Sequence, residues 1–185
     1  MKNRVNPVLL PGLEMYPDQD LRPECLPTMR EEASKVFPPT IIDETLSVTN
    51  EVIEGPDANP LRLKIYRPKS NNESLPALLW IHGGGYILGS INDNDDLAVK
   101  IAKEANCMVV SVDYRLAPEH PYPAPIEDCY AALKWIADNA ETLNIDSNRI
   151  GVAGVSAGGG LTAALTLLAR DRQYPSICLS LIHIS

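Results

Sequence analysis

The sequence has 185 residues, a formal net charge of −8 and a pI of about 4.8, with 45% hydrophobic and 22% charged residues. This length is enough for one domain with a hydrophobic core, and such an acidic surface repels phosphate backbones, which argues against a nucleic-acid partner. No run approaches the ~18 apolar residues of a membrane span, and the start lacks the apolar core of a signal peptide. We therefore expect a cytoplasmic protein without a membrane partner. The four scattered cysteines form no Cys-x-x-Cys pair, and we expect neither a metal nor a cofactor.

The first 45 residues are rich in proline and differ in texture from the rest of the chain. Thr28 and Glu31 have the spacing of a capping box, which predicts a helix over residues 29–36. Beyond residue 45 the pattern becomes one of short apolar strands, which then alternate with amphipathic helices.

The predicted strands and helices from residue 46 onward indicate an α/β fold with a largely parallel sheet and helices on both faces. The helix over 158–170 is apolar nearly all round, so we expect it to be deeply buried. In such sheets the active site lies beyond the carboxyl ends of the strands. The predicted elements are strands 46–53, 61–66 and 76–81, helix 95–105, strand 107–112, helix 124–139, strand 150–154, helix 158–170 and a last strand ending at Ile184.

A serine lies between small residues at a predicted strand-to-helix junction, in the stretch GVSAG. A nucleophilic serine on such a turn is strained, so its neighbours Gly154 and Gly158 must lack bulk. The turn raises the Ser156 hydroxyl above the sheet, and the N-terminus of the next helix favours developing negative charge. This pattern predicts that Ser156 is a nucleophile.

The sequence His82-Gly83-Gly84-Gly85 directly follows the predicted strand 76–81. Acyl transfer builds an oxyanion, which preorganised backbone N–H groups stabilise, and glycine lets the backbone approach a ligand closely. A loop of this type completes an oxyanion hole together with the N–H that follows the nucleophile, here that of Ala157.

A third motif, VDYRLAPEHPYPAP, follows the predicted strand 107–112. Its prolines fix a rigid path. We expect Asp113, Arg115 and Glu119 to form an ion-paired network that holds this path, since paired charges are usually structural.

The three motifs in this order resemble the hormone-sensitive-lipase-like branch of the α/β-hydrolase fold, the branch of bacterial acetyl esterases and related carboxylesterases. The resemblance covers about residues 39–172. It implies an α/β-hydrolase fold that is incomplete at its C-terminus, and a serine esterase that cleaves short-chain acyl esters through an acyl-serine intermediate. The implied partner is a small acyl ester, and a homodimer is possible within this branch.

The resemblance also assigns domains and residue roles. Residues 1–45 correspond to an N-terminal cap segment and residues 46–185 to the N-terminal part of the hydrolase domain. Val155 stands where this branch often has aspartate, a position outside the catalytic triad. The implied site comprises the nucleophile Ser156, the oxyanion-hole residues Gly83, Gly84, Gly85 and Ala157, and the supporting residues His82, Gly154 and Gly158.

A serine nucleophile requires a base, and no histidine of this sequence has the position expected for that base. In this fold the triad order is serine, then Asp or Glu, then His. After Ser156 the only acidic residue is Asp171, at the end of the same predicted helix. His82 belongs to the glycine loop, His120 precedes the serine, and His183 lies in a predicted strand. We therefore expect the triad Asp and His to be absent, the chain to be truncated at its C-terminus, and these residues alone to be inactive.

Two other functions are compatible with parts of the sequence. Gly158-x-Gly160-x-x-Ala163 fits a loose dinucleotide fingerprint, but the acidic residue expected about 20 positions later is missing. A non-catalytic ligand-binding protein on a hydrolase fold would keep the pocket and lack the base.

Overall fold

The computed structural model of the protein describes residues 5–11, 20–36, 44–69 and 74–183. The end of the last predicted strand at Ile184, and parts of the predicted cap segment, lie outside these ranges. None of the helices within them is long and apolar enough to cross a membrane. In chain order the described elements are the 3₁₀ turns Pro7–Leu9 and Pro23–Cys25, α1 Leu26–Val36, β1 Leu46–Glu54, β2 Pro60–Pro68, β3 Leu75–Ile81, α2 Asp95–Glu104, β4 Met108–Val112, α3 Ala124–Asp138, β5 Ile145–Val155, α4 Ala157–Asp171 and β6 Leu179–His183.

The six strands form one sheet in the order β1-β2-β4-β3-β5-β6. β2 pairs antiparallel with β1 and β4, whereas β3 pairs parallel with β4 and β5, and β5 pairs parallel with β6. The prediction of a mostly parallel sheet in an α/β fold is therefore confirmed, with an antiparallel hairpin added at one edge.

Both faces of the sheet are covered, which explains why β3 is a continuous apolar run. Side chains alternate along a strand, so Leu79 packs with α3 and α4 on one face, whereas Leu78 and Trp80 pack with α2 on the other. The helices supply Leu133 and Leu165 to the first face, and both are fully buried.

The carboxyl ends of three neighbouring strands meet at one edge of the sheet. Ile81, the last residue of β3, pairs with Val112 at the end of β4 and with Gly154 near the end of β5. The three motifs found in the sequence therefore leave the sheet side by side.

Helix α1 begins earlier than the capping-box pattern predicts. It starts at Leu26, directly after the 3₁₀ turn Pro23–Cys25, so Thr28 lies inside the first turn and is not the capping residue. Pro27 explains the difference, because its fixed φ and missing N–H suit the first turn of a helix.

Helix α4 is buried on one side only, so the prediction that this helix is deeply buried was wrong. Leu161, Leu165 and Ala169 face the sheet and are buried, but Leu167 is 52% exposed. A helix that packs on one face of a sheet buries only the stripe of its own surface that faces the sheet, whatever residues lie on its opposite side.

Candidate active site

Ser156 occupies a strained turn between β5 and α4. Its φ is 54° and its ψ is −119°, and its side chain is exposed. A positive φ is uncommon for a residue with a side chain, and such strain is concentrated at functional sites. The side chain makes no capping hydrogen bond to the backbone of α4, so the hydroxyl is not tied to the helix.

The glycines on either side of the serine are required by close backbone packing. A Cβ atom on Gly154 would lie 2.4 Å from the carbonyl oxygen of Gly158, and one on Gly158 would lie 2.1 Å from the carbonyl oxygen of Ile81. Neither neighbour is a flexible side-chain tip that could move aside. The turn that displays Ser156 therefore closes only with glycine at both positions.

The glycine loop after β3 packs directly against this turn. A Cβ atom on Gly83 would lie 3.0 Å from the carbonyl oxygen of Val155 and 3.4 Å from the Cβ atom of Ser156. The loop then reverses direction, because the N–H groups of Ile87 and Leu88 both donate to the carbonyl oxygen of Gly84, at 3.1 and 2.8 Å.

The conformation of this loop depends on Gly84 above all. Its φ is 117°, and a Cβ atom there would lie 2.1 Å from the carbonyl oxygen of Leu88. Gly85 has a φ of 63°, but a Cβ atom there would meet only the Ile87 side chain, at 3.9 Å. The loop therefore requires glycine at Gly84 for both space and φ, and at Gly85 for φ alone.

Backbone donors remain available around the serine. Outside the helices and strands, no backbone carbonyl in the described part of the chain accepts a hydrogen bond from the N–H of Gly84, Gly85 or Ala157. Ala157 is also the first residue of α4, where N–H groups have no partner within the helix.

His82 is a buried support of the loop. Its ring is stacked on Tyr114 with 4.2 Å between ring centroids, and the Tyr114 hydroxyl donates to the His82 carbonyl oxygen at 3.0 Å. Its Nδ1 lies 2.7 Å from the Gly83 carbonyl oxygen, which can only accept, so Nδ1 carries the proton. Burial lowers the pKa of His82 below its usual 6.5, and the ring is neutral.

The charged residues of the third motif form ion pairs with residues on other elements. The prediction that they form a network with one another was therefore wrong. Asp113 pairs with Arg62 of β2, with Nε to Oδ2 at 2.8 Å. Arg115 pairs with the fully buried Asp128 of α3, at 2.9 Å. A rigid loop is better fixed by ion pairs to neighbouring elements than by pairs within itself.

Glu119, the third charge of this motif, is bound by Arg30 of α1. The Arg30 Nη1 and Nη2 atoms lie 2.8 and 2.9 Å from the two carboxylate oxygens. This bidentate contact lowers the pKa of Glu119 to about 2. Neither Arg30 nor Tyr114 was predicted from the sequence; Tyr114 lies within the third motif, whereas no local pattern singles out Arg30.

An apolar cavity of about 380 Å³ opens beside the first turns of α4. It reaches Gly160, one turn after Ser156, and the hydroxyl of Tyr86 lies 2.6 Å from the position of a Cβ atom on that glycine. The cavity is lined by Tyr86, Ala117, Pro121, Tyr122, Pro125, Ile126, Gly160, Leu161 and Ala164.

Within the described residues, no histidine or carboxylate side chain forms a hydrogen bond with the Ser156 hydroxyl. The His82 ring is engaged with Gly83 and Tyr114, and Asp171 is exposed and paired with Arg170. The His183 backbone pairs with Val155 in the sheet, while its side chain lies outside the described residues. Within the described ranges, no group of three or more His, Cys, Asp or Glu side chains is arranged to hold a metal ion.

Comparison with known proteins assigns this arrangement to a family. Residues 78–184, which include the glycine loop, the third motif and the serine turn, match the model of a family with the alpha/beta hydrolase fold. The chain belongs to this family. Membership argues against the dinucleotide-binding alternative, and the esterase relatives bear out the resemblance to the hormone-sensitive-lipase-like branch.

Two curated relatives illustrate the match. Esterase LipI of Mycobacterium tuberculosis is 37% identical over 183 residues, which cover 98% of this chain and 57% of the relative. Ethyl acetate hydrolase of Pseudomonas putida is 38% identical over 134 residues, which cover 71% of this chain and 42% of the relative. The chain therefore spans about half the length of the curated relatives it matches.

Solved structures show the same relationship. A bacterial heroin esterase superposes with a TM-score of 0.81 at 35% identity, covering 95% of this chain and 56% of that one. A hyperthermophilic esterase from the archaeon Pyrobaculum calidifontis gives 0.76 at 38% identity, covering 94% and 55%.

Proposed function

We propose that the protein is a serine carboxylic-ester hydrolase that acts on short-chain acyl esters, with Ser156 as the nucleophile. One observation carries this proposal: Ser156 is held at positive φ between β5 and α4, and the glycine loop packs against it at Gly83. An exposed serine in a strained turn, next to backbone N–H groups that have no acceptor among the described backbone carbonyls, is an arrangement that suits acyl transfer.

The first half of the reaction forms the acyl-enzyme. The Ser156 oxygen attacks the ester carbonyl carbon, and the electron pair of the C=O bond moves to its oxygen. The N–H groups of Gly84, Gly85 and Ala157 donate to this oxyanion, and a single such donor contributes about 3–4 kcal/mol. The N-terminus of α4 adds its partial positive charge. As the intermediate collapses, the C–O bond to the alcohol breaks and the alcohol leaves with a proton.

The second half returns the serine. Water attacks the acyl carbon, the same donors stabilise the second oxyanion, and the bond between the acyl carbon and the Ser156 oxygen breaks to release the acid. Both halves require a base to take and return protons. Since no described histidine or carboxylate side chain forms a hydrogen bond with the Ser156 hydroxyl, we propose that residues 1–185 by themselves do not turn over an ester.

The cavity beside α4 supports a substrate with an apolar group. Its walls include Tyr86, Leu161, Ile126 and proline rings, and none of its described lining residues is charged. The ethyl acetate hydrolase among the relatives is named for an ester of acetic acid, which supports a short acyl chain for this protein as well. A cytoplasmic location, a small-molecule ester as partner and a homodimer stay predictions.

The proposal is tested with the protein encoded by the complete reading frame. A fluorophosphonate probe should label Ser156, and Ser156→Ala should abolish both labelling and hydrolysis of an activated acetate ester. Ser176→Ala is the matched control, because Ser176 is exposed in the loop after α4 and should be dispensable.

Two results would contradict the proposal. Labelling at another residue, or full activity of Ser156→Ala, would remove Ser156 from the reaction. Binding of an ester without labelling or turnover would instead favour the non-catalytic ligand-binding alternative.

A further inference from the structure

The guanidinium group of Arg30 joins three segments that are far apart in the sequence. Its Nε donates to the carbonyl oxygen of Ile87 in the glycine loop at 2.8 Å, and its Nη2 donates to that of Ala117 at 2.9 Å. The same group binds Glu119 through both carboxylate oxygens. Arg30 itself lies on α1, which precedes the whole sheet.

These contacts use the planar shape of the guanidinium group. Four of its N–H directions are occupied at once, and its side chain is only 26% exposed. A lysine ammonium has the charge but not the fixed fork that reaches a carboxylate and two carbonyl groups together. The site therefore selects for arginine by geometry and not by charge alone.

The loop segment that Arg30 holds is connected to the oxyanion donors by a short, rigid turn. The Ile87 carbonyl oxygen accepts from Arg30, and the Ile87 N–H donates to the carbonyl oxygen of Gly84 at 3.1 Å. Ala117 donates its N–H to the carbonyl oxygen of Tyr86 at 2.9 Å. The Ile87 residue that Arg30 contacts therefore belongs to the same hydrogen-bonded turn as Gly84.

We propose that Arg30 is a positioning residue, which aims the N–H groups of Gly84 and Gly85 by fixing the exit of the glycine loop against the 117–119 segment. This inference rests on the proposed function, because it concerns the donors of the proposed oxyanion hole. It couples α1 to the reaction: with α1 docked, the donors are held in place.

The expected signature is a loss in kcat. The bound ester carries no negative charge on its carbonyl oxygen, and this charge develops in the transition state that leads to the tetrahedral intermediate, so misdirected donors slow the chemical step more than they weaken substrate binding. In the protein from the complete reading frame, Arg30→Met should lower kcat at least tenfold and change KM by no more than about twofold. Arg30→Lys should fall between Arg30→Met and the wild type, since lysine reaches one acceptor well but not all three.

Hydrogen–deuterium exchange provides a readout independent of activity. Arg30→Met should speed exchange of the amides in residues 83–89, and Arg30→Lys should do so less. The matched control is Arg22→Met, because Arg22 is an exposed arginine of the same N-terminal segment, and its ion pairs with other described residues are local, with Asp20 and Glu24. It should change neither kcat nor loop exchange.

The outcomes separate this inference from the proposed function. Exchange in residues 83–89 that stays at the wild-type rate in both Arg30 variants would overturn the inference, whatever their activity. A wild-type protein that neither reacts with the probe nor hydrolyses esters would overturn the proposed function instead. If Arg30→Met unfolds at the assay temperature, the exchange and kcat of Arg30→Lys decide.

Discussion

A Cβ atom placed on Gly83 would lie 3.4 Å from the Cβ atom of Ser156, so the glycine loop and the serine turn are in direct contact. The contact extends to the backbone, since the same added atom would lie 3.0 Å from the Val155 carbonyl oxygen. The two halves of the proposed site therefore form one packed unit, in which a shift of either half reaches the other.

The first prediction compares the two glycines that carry the proposed oxyanion donors. Gly84→Ala should lower kcat about 100-fold or more with little change in KM, because the added Cβ would lie 2.1 Å from the Leu88 carbonyl oxygen and displace the donor. Gly85→Ala should be much milder, since its nearest neighbour is the Ile87 side chain at 3.9 Å. Steady-state kinetics with an acetate ester checks both variants. Equal losses at the two positions would contradict the role of space at Gly84.

The second prediction concerns stability and uses two glycines of α4. Gly158→Ala should lower the free energy of unfolding by about 2–3 kcal/mol, because its Cβ would overlap the backbone carbonyl of Ile81. Gly160→Ala should be neutral or stabilising by up to about 1 kcal/mol, since alanine favours helix and the group it meets is the Tyr86 hydroxyl, at the tip of a movable side chain. Urea unfolding of the protein from the complete reading frame measures both. A more stable Gly158→Ala would show that the serine turn tolerates a side chain.

The third prediction is a pH dependence of stability that originates at His82. Burial lowers its pKa in the folded protein below the usual 6.5, so only the unfolded chain takes up a proton there as the pH falls below 6.5. The stability from neutral His82 is therefore complete above pH 6.5 and is lost as the pH falls toward its folded-state pKa.

Unfolding of the protein from the complete reading frame, measured between pH 8 and pH 5, checks this prediction. His82→Asn should show a shallower loss, since its amide can still donate to the Gly83 carbonyl oxygen but does not titrate. His120→Gln is the control, because His120 is exposed, and it should keep the wild-type profile. An unchanged profile in His82→Asn would place the titrating group elsewhere.

The fourth prediction concerns residues 1–185 expressed by themselves. They should hydrolyse an activated acetate ester at least about four orders of magnitude more slowly than the protein from the complete reading frame, because a triad enzyme without its base loses about that much. They should also unfold without a cooperative transition. The β6 side chains Leu179, Leu181 and Ile182 are between 45% and 52% exposed, and an apolar strand of this kind invites aggregation. Turnover near that of the protein from the complete reading frame would mean that these residues contain a base.

The parts of the site that sequence analysis predicted are those that depend on local backbone geometry. A glycine on each side of a serine after an apolar run requires a tight turn, and Ser156 adopts it. The meeting of the three motifs follows from parallel pairing, which aligns Ile81, Val112 and Gly154 at one edge. The first of these follows from the local spacing of the glycines and the serine, and the second from the order of the elements and the direction of the strands.

The parts that it could not predict depend on contacts between distant segments. Arg30 lies 57 residues from Ile87 and 89 from Glu119, and nothing in its own neighbourhood indicates those partners. The charges of the third motif were likewise expected to pair with each other, whereas Asp113 pairs with Arg62 on β2. The sequence shows which charged residues need a partner, but it does not show which helix or strand supplies that partner.

The strand order also imposes a sequence of events on the chain as it is synthesised. β2 leaves the ribosome before β3, yet the two are not neighbours, because β4 lies between them and pairs with both. At synthesis rates of roughly 5–20 residues per second, the hairpin β1–β2 and the strand β3 wait on the order of seconds for residues 108–112 to appear. Until then the strand edges that β4 will pair are open, and open edges favour aggregation.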